Sequence, residues 1–231
     1  MAKAPRRPTL EIDGTRLTLA RLREFEAKRP LVRLAAPARR RMQASVQAVE
    51  RAIAQGEVSY GINTGFGAFA NRVIPAAKTR KLQLNLIRSH ACGTGDPLPP
   101  HIVRRMLLLK ANALAAGYSG ARPLMADMLL ALLNSDVLPV VPSQGSVGAS
   151  GDLAPLAHIG LALIGEGEAT RGDERLEGDA VPAAAGFEPL SPQAKEGLAL
   201  LNGTQLSLAL ALEGLFQAER LLDASIVAGA L

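Results

Sequence analysis

Apolar residues recur at intervals of three and four in one stretch of this chain after another, and that spacing belongs to helices with one buried face. Met42, Val46, Val49 and Ile53 follow it until Gly56 stops the pattern, and Leu82 and Leu86 lie in a second such segment. Residues 102–116 make a third, ended by Gly117, and a fourth opens at Pro123, a suitable first-turn residue, and runs to about Asn134. Leu153 to Ile164 is again helical and strongly apolar, and a long amphipathic pattern begins at Thr204. Composition agrees: 48% of the 231 residues are hydrophobic but only 3% are aromatic, with no Trp. A core built on Ala, Leu, Val and Ile suits close helix packing better than a sandwich of sheets. The expected fold class is mainly α.

The remaining segments give shorter elements. "LEIDGTRLTL", Leu10 to Leu19, alternates about Asp13-Gly14 and reads as a hairpin. "GEGEATRGDERLEGDAVPAAAGFEP" is polar and rich in Gly and Pro, a surface excursion with one hairpin. Ser191-Pro192 reads as a cap followed by a first-turn proline, restarting a helix. The pattern is still apolar at Leu231. We therefore expect a second half, removed or supplied by another chain. Internal repeats are absent.

Several function classes fall away. The single cysteine, Cys92, excludes an internal disulfide, reads as a small buried filler and fits a reducing cytoplasm. No Cys/His spacing suits zinc, and no metal is expected. The start, "MAKAPRRPTLEID", lacks the apolar centre of a signal peptide. No uncharged apolar run reaches the roughly 18 residues of a membrane span, since Glu213 interrupts the longest. The net charge of +5 comes partly from Arg39, Arg40 and Arg41, which read as a solvated helix face. Without interleaved aromatics they do not suggest a nucleic-acid partner.

Polar side chains meet glycines at four places: "YGINTGFGAFA" from Tyr60, "RSHACGTGD" from Arg88, "SQGSVGASGDLAPLAH" from Ser143, and "LNGTQ" from Leu201. Such composition suits backbone that approaches a ligand closely. Familiar motifs fail there. "GFGAFA" has no strand-helix-strand unit around it, a phosphate-binding P-loop is missing, and Ser150 lacks the strand and spacing of a hydrolase elbow. A different chemistry is open to Ala149-Ser150-Gly151. In a tight bend the Gly151 amide nitrogen can reach the Ala149 carbonyl carbon, because position 151 carries no Cβ. Loss of one water closes a five-membered ring. Loss of a second, taking the Ser150 hydroxyl, leaves a methylidene carbon conjugated to it.

"GSVGASGDLAPLAH" resembles the signature of the aromatic amino acid ammonia-lyases, in which Ala-Ser-Gly cyclises autocatalytically to 4-methylidene-imidazol-5-one. "YGINTGFG", "KANALAAGYSGARP", "GEGEA" and "LLNGTQ" are similar to further stretches of that family, in family order, so the likeness runs from about Leu10 onward. It implies that Ala149, Ser150 and Gly151 form the cofactor, with no external one, and that Asp152 assists. The family's selectivity pair falls at Ser89-His90, which with Gln205 resembles the histidine branch. The implied reaction converts L-histidine to urocanate and ammonia.

The resemblance also assigns roles. Tyr60 would take the β-proton, and since an unperturbed tyrosine titrates near about 10, helix N-termini would have to stabilise its phenolate. His90 would hydrogen-bond the substrate imidazole, Ser89 would shape the pocket, and Asn202 would hold the substrate carboxylate or the ring carbonyl. His101 and His158 have no family role and read as structural. Attack on the methylidene carbon by the substrate amine or by its imidazole remains open. The implied organisation is a basic tail over 1–9, a cofactor-bearing helical domain over 10–200, and the start of a central helical bundle over 201–231. Family sites draw on several subunits of a tetramer and on residues beyond the stretch matched here, among them a carboxylate-binding arginine. A homotetramer, or a hetero-oligomer with a chain supplying those residues, is therefore implied. The competing readings are a phenylalanine or tyrosine lyase or an aminomutase, which Ser89-His90 opposes, and a non-catalytic helical subunit, which has no need of the ring.

Overall fold

The computed structural model describes residues 7–56, 62, 64, 74–147 and 151–231. Their elements are, in order, β1 (Thr9–Ile12), α1 (Leu19–Lys28), β2 (Leu31–Leu34), α2 (Ala36–Ala54), α3 (Ala76–His90), β3 (Thr94–Pro97), α4 (Pro100–Ala115), α5 (Pro123–Asn134), β4 (Leu138–Pro139), β5 (Pro142–Gln144), α6 (Leu153–Leu163), β6 (Glu168–Arg171), β7 (Glu174–Glu177), α7 (Ala180–Ala184), α8 (Glu196–Leu201) and α9 (Gln205–Ala230). The fold is mainly α, as the periodicity implies. Prolines at their first turns open α4 and α5, where a missing N–H leaves no helix bond unmade.

α4 and α5 pack side by side at the centre, α2 and β2 lie against them, and α9 crosses α4. Met106, Leu107, Leu108, Leu114, Met125, Leu129 and Leu132 are fully buried there. Lys110 is buried in the same helix, on the side that meets the turn before α9. A second group of helices, α3, α6 and α8, packs mutually. Gly160 makes this possible, since a Cβ there would stand 2.9 Å from Ile87 and 3.1 Å from Leu200.

The N-terminal segment is not a hairpin. β1 pairs in parallel with β2, Thr9 opposite Leu31 and Ile12 opposite Leu34, with α1 as the crossover between them. The Asp13 carboxylate explains the difference: Oδ1 accepts from Thr15 N–H (2.9 Å) and Arg16 N–H (3.0 Å), turning the chain locally instead of back on itself. Gly14 at φ +83° then docks on the C-terminal end of α4, its N–H donating to Asn112 Oδ1. Thr18, expected in the returning strand, instead caps α1.

The hairpin expected in the polar excursion is present as β6 and β7, and β4 extends it to three antiparallel strands. Ser191-Pro192, in contrast, does not open a helix; α8 starts at Glu196. Glu196 is 1% exposed and accepts from Gln193 N–H (2.8 Å), Arg122 N–H (3.0 Å) and the Arg122 guanidinium (2.8 and 2.7 Å). This ion pair sets the helix start, after a turn at Ala194-Lys195 in which Lys195 takes φ +69°.

Cys92 is exposed, contrary to the filler reading, because it lies in the turn after α3 and not on a helix face. Of the three arginines read as a solvated face, only Arg40 behaves so. Arg39 makes a bidentate pair with Asp127 (2.9 and 2.7 Å), and Arg41 donates to the carbonyls of Asp13 and Ala115. Residues Glu196–Ala230 are long and apolar enough, at a mean hydropathy of 1.3, to pass for a membrane span by length and composition alone. Glu213 within them pairs at 2.6 Å with Arg105, which is itself buried. Leu221, Leu222, Ile226 and Val227, further along α9, are 60–70% exposed.

Candidate active site

Tyr60, Ala149 and Ser150 lie outside the described residues; Ser89, His90, Gly151, Asp152 and Asn202 lie within them. On either side of residues 148–150, Val147 N–H donates to the Gly151 carbonyl at 3.0 Å. Asp152 follows at once and is fully buried before the first turn of α6. Its Oδ1 accepts from the hydroxyls of Ser146 (2.6 Å) and Ser207 (2.8 Å), and its Oδ2 accepts from Ser207 N–H (2.8 Å).

Ser207 stands in the first turn of α9, where the leading N–H groups have no partner within the helix. Thr204, the residue at the cap position, makes no side-chain cap bond. Asp152 supplies that cap from the other end of the sequence motif, and its negative charge meets the positive end of a long helix. The Ala-Ser-Gly loop and the "LNGTQ" stretch are thereby fastened together.

Asn202 ends α8 in an extended conformation. Its side chain faces solvent in this chain, and its carbonyl accepts from Lys110 Nζ at 2.7 Å. A Cβ on Gly203, which follows, would stand 2.1 Å from Gln205 Oε1, so a side chain there would displace the end of Gln205. Burial alone holds the Lys110 ammonium down to about 7, far below the ordinary lysine range.

Ser89 and His90 form the last turn of α3. His90 Nδ1 lies 2.8 Å from the Leu86 carbonyl, an acceptor only, so Nδ1 carries hydrogen and Nε2 is left without a hydrogen-bond partner among the described residues. Ser89 Oγ reaches the same carbonyl at 3.2 Å and lies 3.2 Å from His90 Nδ1, bracing the ring. Beyond them Thr94 pairs with Gln144 in the β3–β5 ladder, which leads into the loop. Gly93 N–H donates to His158 Nε2 of α6 at 3.1 Å, and a Cβ on Gly145 would lie 3.3 Å from Gly93 Cα. The "RSHACGTGD" stretch is therefore laid against the beginning of the Ala-Ser-Gly loop.

Three of the four polar stretches thus converge. His158, read from sequence as structural, holds the turn after His90. Burial pushes its imidazole below the ordinary histidine value against the weaker opposing pull of Glu168, in keeping with an acceptor Nε2. Sequence reasoning passed over Ser146, Ser207 and Lys110. Only Lys110 gave a signal, as a single charge inside the apolar run "MLLLKANAL". Among the described residues no cluster of three His, Cys, Asp or Glu side chains could hold a metal.

Comparisons with known proteins bear on the family and the fold. The histidine ammonia-lyase of Paracidovorax citrulli is 53% identical over 224 residues, which are 97% of this chain and 44% of that protein. The crystal structure of histidine ammonia-lyase from Trypanosoma cruzi superposes with a TM-score of 0.83 at 35% identity, over 92% of this chain and 42% of that one. Ergothionase from Treponema denticola, an ergothioneine-degrading enzyme, superposes with a TM-score of 0.87 at 27% identity, over 92% and 43%. The chain spans less than half the length of the curated relatives it matches. The family model described as aromatic amino acid lyase matches residues 17–231, and the chain belongs to that family.

Proposed function

We propose that this chain is the cofactor-bearing part of an ammonia-lyase that converts L-histidine to urocanate and ammonia. The observation that carries the reading is the buried Asp152 carboxylate, fixed by Ser146 and Ser207 directly after Ala149-Ser150-Gly151. The surroundings fit an internally formed ring, since the Val147–Gly151 hydrogen bond brings the two ends of the segment together. In ring closure the Gly151 nitrogen bonds to the Ala149 carbonyl carbon, and that oxygen leaves as water with the amide hydrogens of Gly151 and Ser150, leaving a double bond between the Ala149 carbon and the Ser150 nitrogen. The Ser150 Cα–H and hydroxyl leave as the second. Asp152 positions or deprotonates the Gly151 amide in this step.

Once formed, 4-methylidene-imidazol-5-one supplies an electrophilic carbon that withdraws electrons from the substrate. The chain's own residues do the rest. His90 Nε2, left open by the Nδ1 bond to Leu86, pairs with the substrate imidazole. Ser89 keeps that ring in place, and Asn202 holds the substrate carboxylate or the ring carbonyl. Tyr60 takes the β-proton; the electrons of that C–H bond become the double bond of urocanate as the amine departs with its own pair. Support for histidine as substrate comes from Ser89-His90 and from the histidine ammonia-lyases at about half identity.

We assign residues 1–9 to a tail, 10–200 to the cofactor-bearing domain and 201–231 to the start of a helical bundle. The working enzyme is a cytoplasmic homotetramer or a hetero-oligomer, with further chain completing each site. The exposed Leu221, Leu222, Ile226 and Val227 on α9 support a partner there.

The test is an intact mass, native and then denatured, of the purified chain. A chain lighter by two waters is expected, in a complex that releases urocanate from L-histidine and loses that turnover with His90→Leu while still folding. An unmodified mass overturns the reading in favour of a non-catalytic subunit. Turnover of phenylalanine or tyrosine in place of histidine overturns the substrate.

A further inference from the structure

Ser207 has no part in the reaction as given above, yet it makes two of the three hydrogen bonds that hold Asp152 among the described residues. We propose that Ser207 is a positioning residue for formation of the internal ring, holding the Asp152 carboxylate from the first turn of α9 so that one acceptor site on Oδ2 stays open. The inference rests on the cofactor reading of Ala149-Ser150-Gly151 given above.

A carboxylate offers about four acceptor sites, two on each oxygen. Among the described residues, Oδ1 is filled by the Ser146 and Ser207 hydroxyls, while Oδ2 takes Ser207 N–H alone. Together these bonds set both side-chain torsions of Asp152. One site on Oδ2 remains, in a fully buried setting where water does not compete. Ring closure requires a base for the Gly151 amide proton as nitrogen bonds to the Ala149 carbon, and the open Oδ2 site is where that proton goes. Without the Ser207 hydroxyl, Oδ1 keeps only Ser146 and Oδ2 only the Ser207 N–H, so the carboxylate is held less firmly about its own bond.

A consequence is an order of events. Both Ser207 donors lie on α9, so the carboxylate is fixed only after α9 has docked against the start of α6. Ring formation then follows folding of the Asn202–Ser207 segment and does not precede it.

Ser207→Thr and Ser207→Val test this, because the two side chains have nearly the same shape and only threonine keeps the hydroxyl. The full chain is synthesised in vitro and sampled over time for the fraction lighter by two waters, with helix content and unfolding midpoint measured alongside. Threonine is expected to follow wild type and valine to lag by about tenfold or more, the size of a lost hydrogen bond to a charged group. Equal rates for valine and threonine overturn the proposal. If valine and Ser207→Ala both fail to fold while threonine folds, the hydroxyl is a structural anchor and the proposal again fails. A wild-type chain that never loses water overturns the underlying cofactor reading, which the variants alone would not do.

Discussion

Lys110 Nζ and the Asn202 carbonyl oxygen are joined at 2.7 Å, and among the described residues Nζ pairs with no carboxylate. The hydrogen bond ties the turn before α9 to the central helix α4. It puts an ammonium group where, among the described residues, a backbone oxygen answers it, and burial lowers its pKa to about 7. Between about 7 and the ordinary lysine range the unfolded chain binds a proton that the folded chain releases, so stability must rise with pH across that window and level off above it. Lys110→Met should flatten this slope in urea unfolding midpoints measured from pH 7 to 10. An unchanged slope would mean that another group titrates there.

The buried carboxylate of Glu196 depends wholly on Arg122 and Gln193. Arg122→Leu removes the guanidinium and leaves a charge in a buried place, so a loss of about 3–5 kcal/mol is expected. Glu196→Gln keeps the shape and part of the hydrogen bonding and should cost less. The order of the two in denaturant unfolding is the check; a larger loss for glutamine would contradict the ion-pair account of the α8 start.

These two cases bear on how far the sequence is legible. Helix periodicity located α2, α4, α5, α6 and α9, because each buries one continuous face and the pattern records it locally. It failed at Leu10–Leu19 and Ser191-Pro192, where a carboxylate and its distant or neighbouring donors decide the path of the chain. The local signal at Asp13-Gly14 fits a hairpin equally well, and only the far-off Asn112 and β2 distinguish the outcomes. The site divides in the same way. Ser89, His90, Asp152 and Asn202 lie in recognisable stretches, whereas Ser207, Lys110 and His158 act through contacts that spacing does not encode. Tyr60, Ala149 and Ser150 rest on the sequence motifs alone.

Gly14 and Gly56 offer a controlled comparison of backbone strain with crowding. Both have positive φ, +83° and +72°, but a Cβ on Gly14 would stand 2.3 Å from Ala116 N, whereas no described residue lies within 4 Å of one on Gly56. Gly56→Ala should cost about 1–2 kcal/mol, the left-handed penalty alone. Gly14→Ala must also push the β1–α1 turn off the end of α4, and should lose clearly more in the same unfolding experiment. Equal losses would show that the turn moves freely, against its docking on Asn112.

His158 and Gly93 make the last prediction, on pH. Nε2 accepts the Gly93 N–H, so a proton on that nitrogen would set two donors against each other and release the turn that follows His90. Burial, the larger effect, lowers the imidazole pKa, and Glu168 only partly opposes it. As pH falls below the ordinary histidine value the unfolded chain therefore takes up a proton that the folded chain refuses, and stability drops until the folded-state pKa is passed. His158→Gln offers an amide oxygen in place of Nε2 and does not titrate. Its unfolding midpoint should match wild type near pH 7 and exceed it near pH 5. If the two fall together on acidification, the sensitivity lies in other groups and His158 is an ordinary packed residue.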